Sequence, residues 1–236
     1  MGLLFCIHTT FFLVAEIQET ISEILAGHEV GHITDDGLLT ELRRAGGLTS
    51  NVARKICGYA LNAADAGADA IMICCSTASK AAVHVQPFVS VPIFSVDEPM
   101  AEEAVRTGTA IGVLATLPTT IKPTCDLLRR KAAAVGRQIA PHPTLCDKAF
   151  DALRHGDRAK HDALLLEEVR RSAATNDVVL LAQVSMARLL PRVGADVRVP
   201  VLASLRSGLQ RGRELLERAR ENKGSRASAD RGQGGL

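Results

Sequence analysis

The chain has 236 residues, of which 47% are hydrophobic, and a formal net charge of +2, so it is long enough to bury one large core or the cores of two smaller lobes. Its basic residues are interspersed with acidic ones, only 3% of its residues are aromatic, and it has no tryptophan. A nucleic-acid partner, which requires a basic surface and stacking side chains, is therefore not expected.

The apolar segment near the N-terminus is interrupted by polar residues at positions 8–10 and lacks a basic start. It falls short of the roughly 20 apolar residues that span a bilayer, so neither a signal peptide nor a membrane span is predicted. A cytoplasmic location is expected, in which the six cysteines stay reduced.

Short apolar runs alternate along the chain with longer segments of helical period, which is typical of a mostly parallel sheet flanked by helices. The predicted strands are Leu3–His8, Val30–Thr34, Ala70–Cys74, Val91–Val96, Ala110–Ala115, Gln138–Pro141, Val178–Ala182 and Val199–Ala203. The predicted helices are Phe12–Leu25, Ser50–Ala66, Glu98–Thr107, Thr120–Val135 and Asp157–Ala174. Gly67 and Gly136 stand where glycines that end helices belong.

An internal repeat relates the two halves of the chain. Asp69 and Asp177, which each open an apolar run, lie 108 positions apart, and so do Pro92 and Pro200. The sequence therefore predicts an α/β fold of two similar Rossmann-like lobes, with parallel sheets related by a pseudo-two-fold axis. We expect residues 1–98 and 204–221 to form lobe one and residues 99–203 to form lobe two. Residues 222–236 have little to bury and are expected to be a disordered tail.

Open parallel sheets bind ligands outside the carboxyl ends of their strands. The candidate site residues at these ends are His8, Thr9, Cys75, Ser76, Thr77, Asp97, Thr116, Thr119, Gln183 and Ser185. The hydroxyls among them are candidate donors to a carboxylate, and those of Thr9, Thr116 and Thr119 also suit the caps of the helices that follow.

Cys75 is the candidate acid/base. It follows a buried strand at the expected start of a helix, where backbone N–H groups would stabilise a thiolate and lower its pKa. We expect it to be the most reactive thiol, while a second small core residue is the alternative. The same N–H groups and the Ser76 and Thr77 hydroxyls suit a substrate carboxylate. Cys74 should point to the opposite face of the strand and belong to the core.

Three segments together resemble the aspartate/glutamate/hydantoin racemase superfamily. Asp69–Thr77 (DAIMICCST) is similar to its first Cys-Asn-Thr motif, with Ser76 where Asn is usual. Residues 111–119 (IGVLATLPT) resemble its Gly-x-x-x-Thr-x-x-Thr motif, and residues 178–186 (VVLLAQVSM) occupy the place of its second cysteine motif. The resemblance, from about residue 3 to about residue 215, implies two lobes, no cofactor, no metal, and one cysteine on each face of the substrate α-carbon.

The chain departs from that pattern at Gln183, which lies 108 positions after Cys75 and stands where the second cysteine belongs. An amide forms hydrogen bonds but does not exchange a proton at usable pH. His8, which ordinarily titrates near neutral pH, is the candidate to supply the missing acid/base. The superfamily that the chain resembles also contains decarboxylases and cis-trans isomerases. The resemblance implies that relatives with one cysteine use it to deliver a proton.

The predicted function is a cofactor-independent racemase or isomerase that acts, through Cys75, at a carbon α to the carboxylate of an amino acid or related small acid. Alternatives are a single-cysteine decarboxylase of a substituted malonate-like acid and a catalytically silent small-acid binding protein. A zinc hydrolase is a further alternative, because residues 28–32 read His-Glu-x-x-His. That motif requires a helix, whereas its glycines favour a strand followed by a turn. Self-association into a homo-oligomer is left open.

Overall fold

The structure is a computed structural model that describes residues 1–233, with side chains described as far as Lys223. Its strands are β1 (Leu3–His8), β2 (Glu29–Thr34), β3 (Ala70–Ile73), β4 (Ile93–Ser95), β5 (Ala110–Ala115), β6 (Ala140–Leu145), β7 (Val178–Leu181) and β8 (Val201–Ala203). Its helices are α1 (Phe12–Ile24), α2 (Asp36–Ala45), α3 (Ser50–Asp65), α4 (Ala81–Val85), α5 (Glu98–Thr107), α6 (Pro118–Ala134), α7 (Asp147–Arg154), α8 (Arg158–Ala173) and α9 (Ser204–Gln233). Short 3-10 segments span Ser76–Ala78, Gln86–Phe88 and Val184–Arg192.

The strands form two parallel four-stranded sheets with the orders β2-β1-β3-β4 and β6-β5-β7-β8. This arrangement confirms the predicted α/β fold of two similar lobes. All four residues of β3 and of β7 are buried, because helices cover both faces of each sheet. Within the described residues, none of the helices combines the length and the apolar character that crossing a bilayer requires.

The internal repeat appears directly in the strand pairing. The Ile71 N–H donates to the Pro92 carbonyl at 2.9 Å, and the Val179 N–H donates to the Pro200 carbonyl at 3.0 Å. These prolines precede β4 and β8, which are the equivalent edge strands of the two sheets. The two prolines that lie 108 positions apart in the sequence thus occupy equivalent positions in the two sheets.

The predicted helix-ending glycines are confirmed, since Gly67 and Gly136 follow α3 and α6 with φ values of +90° and +67°. Strand β6 extends past its predicted end at Pro141 and includes Pro143 as well. It lies at the edge of its sheet, where a missing N–H costs no ladder hydrogen bond.

Helix α2 replaces the turn predicted after β2. The Asp35 side chain accepts a hydrogen bond from the Gly37 N–H at 2.9 Å and caps the helix, and Leu38 and Leu42 are buried on its inner face. The short helix α7 was also not predicted.

In the structure α9 continues through residues 222–233, where a tail was expected. Helix-favouring residues occupy 218–221, and Lys223 pairs with Asp69 at 2.5 Å, which ties the helix to the first lobe. Residues 234–236 of the predicted tail lie outside the described part of the chain. Helix α9 packs against α1, α5, β1 and β3.

Candidate active site

Residues of both lobes line a cavity of about 380 Å³ at the carboxyl ends of β1, β3, β5 and β7. The predicted site residues on its wall are Thr9, Cys75, Ser76, Thr77, Thr116, Gln183 and Ser185. Wall residues that the sequence did not single out include Phe12, Thr120, Phe150, Arg158, His161 and Arg188. His8, Asp97 and Thr119 lie outside this lining. The rule that ligands bind at the carboxyl ends of parallel strands, the strand-end rule, thus locates the cavity but identifies only part of its wall.

Cys75 has an extended backbone and directly precedes the 3-10 turn of residues 76–78. Its sulfur is within hydrogen-bonding reach of the Thr9 hydroxyl and of the Thr77 and Ala78 N–H groups, which all favour a thiolate. Burial nevertheless raises the pKa of Cys75 above its ordinary value, and the nearby Asp97 adds to that effect. The expected lowering of its pKa is wrong, because a single 3-10 turn offers only a short dipole and burial outweighs it. Cys75 is therefore expected to be a protonated thiol at neutral pH.

Asp97 is the acidic neighbour of Cys75. It follows β4 and is fully buried. Burial raises the pKa of Asp97, and the nearby Ser95 and Ser76 hydroxyls oppose that change. A carboxyl group in such a place carries less negative charge than a solvated one, which limits its repulsion of a Cys75 thiolate.

Gln183 occupies in the second lobe the place that Cys75 has in the first. Both residues are extended, with φ/ψ of −135°/139° and −151°/112°, and both immediately precede a 3-10 segment. The Gln183 Oε1 accepts hydrogen bonds from the Thr116 N–H at 2.7 Å and from the Thr116 hydroxyl at 2.9 Å. Because a backbone N–H only donates, the atom facing it must be the amide oxygen. The two N–H donors of the Gln183 amide are thus left for the cavity.

His161 is a candidate acid/base that the sequence did not indicate. It lies in the first turn of α8, and its Nδ1 is 2.8 Å from Asp162 Oδ1. Burial raises the pKa of Asp162, but hydrogen bonds from Arg188 and His161 outweigh it and lower the pKa to about 2. An ionised carboxylate can only accept, so the 2.8 Å contact places the hydrogen on Nδ1, although Nη2 of Arg188 also lies 3.3 Å from this nitrogen. Nε2 is the ring nitrogen that Asp162 does not engage.

Arg188 is held in place by the same carboxylate. Its Nη1 and Nη2 donate to the two Asp162 oxygens at 2.6 and 2.7 Å, and Arg192 also pairs with Asp162. The paired geometry fixes a guanidinium group on the cavity wall. Arg158, also on this wall, pairs with Glu16 of the first lobe at 3.2 Å.

The remaining hydroxyls join the lobes. The Thr77 hydroxyl lies 3.4 Å from that of Thr119 and 3.3 Å from that of Thr120. Thr119 therefore contacts a wall residue without lining the cavity itself. The cavity wall also has apolar side chains: Phe12 and Leu153 are partly exposed, and the Phe150 ring has the Arg43 guanidinium 5.3 Å from its centre.

His8 does not have the properties predicted for it. It is fully buried, and its Nε2 lies 3.0 Å from Nδ1 of His32. Burial, assisted by His32, lowers the pKa of His8 to about 4, so the expected titration near neutral pH is wrong. The His-Glu-x-x-His motif at residues 28–32 lies on a strand and not on a helix, since β2 spans Glu29–Thr34. Histidines four positions apart along a strand are separated by about 13 Å and cannot share a metal ion.

The fold and the cavity define a two-lobed α/β protein with one cysteine on the wall of a cleft between its lobes. A sequence model of the Asp/Glu/Hydantoin racemase family matches residues 7–212. The chain belongs to this family, as its three motifs predicted. A search of curated protein sequences finds no match.

Solved structures of several racemases are similar to this one. An allantoin racemase from Klebsiella pneumoniae has a TM-score of 0.67 at 16% identity, over 92% of this chain and 88% of its own. A glutamate racemase from Bacillus anthracis has a TM-score of 0.65 at 16% identity, over 92% and 82%. The aspartate racemase of Picrophilus torridus has a TM-score of 0.62 at 12% identity, over 93% and 94%. At these identities the likeness establishes the fold.

Proposed function

We propose that this chain is a cofactor-independent isomerase that moves a proton at the carbon α to the carboxylate of a small acid. The observation that carries the proposal is the composition of one cavity wall: a single thiol, Cys75, in one lobe, and the Gln183 amide and His161 imidazole in the other. Membership of a racemase family supports proton transfer at a carbon centre.

Anion-binding groups surround the place of the reacting carbon. The hydroxyls of Thr77 and Ser185 and the fixed guanidinium of Arg188 suit the substrate carboxylate. Phe12 and Phe150 on the same cavity favour a substrate with an apolar side chain.

Gln183 stabilises the intermediate in this proposal. Removing the α-proton moves negative charge onto the carboxylate oxygens, as an enediolate. The Gln183 amide donates hydrogen bonds to that charge, and its orientation is fixed in advance by two hydrogen bonds from Thr116. At this place a cysteine would exchange a proton with the substrate, whereas the Gln183 amide stabilises the negative charge through hydrogen bonds.

His161 and Cys75 divide the proton transfers. Because burial raises the pKa of Cys75, this thiol holds its proton at rest, and His161 is the group that takes the α-proton. The Cys75 thiol then gives its proton to the opposite face of the carbon, which inverts the centre. Exchange with water returns both groups to their starting states.

A second candidate function rests on the same protonated thiol. A decarboxylase of a substituted malonate needs no base, since loss of CO₂ leaves the electron pair on the α-carbon. The Cys75 thiol would then protonate that carbon, and its raised pKa suits a proton donor. CO₂ release distinguishes this reaction from isomerisation.

The test is hydrogen–deuterium exchange at the α-carbon in D₂O, followed by mass spectrometry and chiral chromatography. The panel comprises D- and L-amino acids, hydantoins and substituted malonates. On an active substrate, Cys75→Ala should lower the rate of inversion by about 10² to 10⁴-fold, because the thiol supplies the proton to the opposite face. Cys57→Ala is the matched control, because Cys57 lies on α3 away from the cavity. If Cys75→Ala inverted the centre as fast as the unaltered protein, the proposal would be wrong.

A further inference from the structure

Two further cysteines and a histidine meet inside lobe one, on the sheet face opposite Cys75. Cys6 and His8 lie on β1, and Cys74 directly follows β3. One ligand atom from each of the three lies within 4.8 Å of the other two, and we call this group the buried thiol cluster. Its members are at most 3% exposed. The proposed isomerisation uses none of them.

One ring nitrogen of His8 is without a partner. Its Nε2 is engaged with His32 at 3.0 Å, while no described residue forms a hydrogen bond to its buried Nδ1. A buried ring nitrogen without a partner is costly. If Nε2 carries the hydrogen and donates it to His32, Nδ1 has a lone pair with which to bind a metal ion. A ring N–H held by an outer acceptor is the usual second-shell arrangement of a metal-bound histidine.

We propose that the buried thiol cluster binds one zinc ion through Cys6 Sγ, Cys74 Sγ and His8 Nδ1, with His32 as the outer partner. Each thiol loses its proton to solvent, and two sulfur–zinc bonds and one nitrogen–zinc bond form. The site goes beyond the proposed function, because it lies on the other face of the sheet from the reacting groups.

Charge and geometry both favour zinc. Two thiolates and one neutral imidazole cancel the charge of Zn²⁺, so the buried site carries no net charge. Ligand atoms around tetrahedral zinc are roughly 3.6 to 3.8 Å apart, so the cluster needs to contract by only about 1 Å from its present spread. Three protein ligands leave a fourth position for water. The ion would join β1 to β3 directly beneath the strand end that carries Cys75.

The experiment uses the full chain, stripped of metal with a chelator and then supplied with Zn²⁺ or Co²⁺ alone. We expect about one zinc per chain by mass spectrometry of the metal content, and a sulfur-to-cobalt charge-transfer band with Co²⁺. Cys74→Ser and Cys6→Ser should each lower the zinc content by at least about 10-fold. Cys75→Ser and Cys57→Ser, in the same lobe, should retain it.

Three results would overturn the site: no zinc and no cobalt band in the unaltered protein, full zinc content in Cys74→Ser, or loss of zinc in Cys75→Ser. The last would place the ion in the cleft instead. Because the cobalt band is measured on the unaltered chain, the test does not depend on whether a core variant folds. A failure here leaves the proposed isomerase intact, since α-proton exchange is measured separately.

Discussion

Asp162 is predicted to contribute to stability as well as to the site. Its side chain is 5% exposed and accepts hydrogen bonds from Arg188 and His161, which lower its pKa from an ordinary value of 3.8 to about 2. At roughly 1.4 kcal/mol per pKa unit, the folded state gains about 2 kcal/mol from this carboxylate at neutral pH. Asp162→Asn removes that gain and leaves Arg188 and Arg192 without their anion.

The sign of the pH dependence follows from the lowered pKa. The stabilisation is complete above the unfolded pKa near 4 and is lost as the pH falls toward about 2. Urea unfolding should therefore show Asp162→Asn less stable than the unaltered protein by about 2 kcal/mol at pH 7, and by about half that at pH 3. Asp126→Asn is the matched control, because Asp126 makes surface ion pairs worth less than about 1 kcal/mol. Equal losses for both variants at pH 7 would refute the reasoning.

Three further predictions concern the proton transfers. His161→Asn should lower inversion by about 10² to 10⁴-fold, while His155→Asn, at an exposed histidine, should leave it unchanged; chiral chromatography measures both. Gln183→Cys should raise the rate of racemisation of an active substrate, because the Thr116 donors that now hold the amide oxygen would stabilise a thiolate. An unchanged rate would show that the Gln183 side chain does not face the reacting carbon. Alkylation of Cys75 by iodoacetamide, followed by peptide mapping, should still accelerate above pH 9, because burial raises its pKa; a plateau at neutral pH would contradict that direction.

The sheet elements could be predicted where local and tertiary preferences agree. Strands β1 and β5 have the predicted bounds, because each is a continuous apolar run that ends at polar residues of the cleft. Helix α5 also has its predicted bounds, with Pro99 in its first turn and glycine directly after its end. Helix α2 could not be predicted in this way, since Asp35, Asp36 and Gly37 are also the residues of a turn.

Two of the missed wall residues have a common geometric cause. A helix that follows a parallel strand begins near the carboxyl edge of the sheet, so its first turn faces the same cleft as the strand ends. Thr120 in α6 and Phe12 in α1 are such first-turn residues, whereas His161 begins a helix, α8, that follows another helix. The strand-end rule alone omitted them. The same rule placed His8 in the cleft, although alternate residues of a strand face opposite sides, and the His8 side chain is buried against His32.

The two lobes have the same arrangement of a threonine beside a strand-end residue, but that residue is a cysteine in one lobe and a glutamine in the other. In lobe one the Thr9 hydroxyl lies within hydrogen-bonding reach of the Cys75 sulfur, and in lobe two the Thr116 hydroxyl donates to the Gln183 oxygen. Thr9 and Thr116 follow the equivalent strands β1 and β5, just as Cys75 and Gln183 follow β3 and β7. Replacing a thiol by an amide within this arrangement keeps the acceptor and its donors and removes only the exchangeable proton. The difference between the lobes is therefore confined to acid/base function, and in the proposed isomerisation the second proton transfer comes from His161, which lies outside the repeated strand ends.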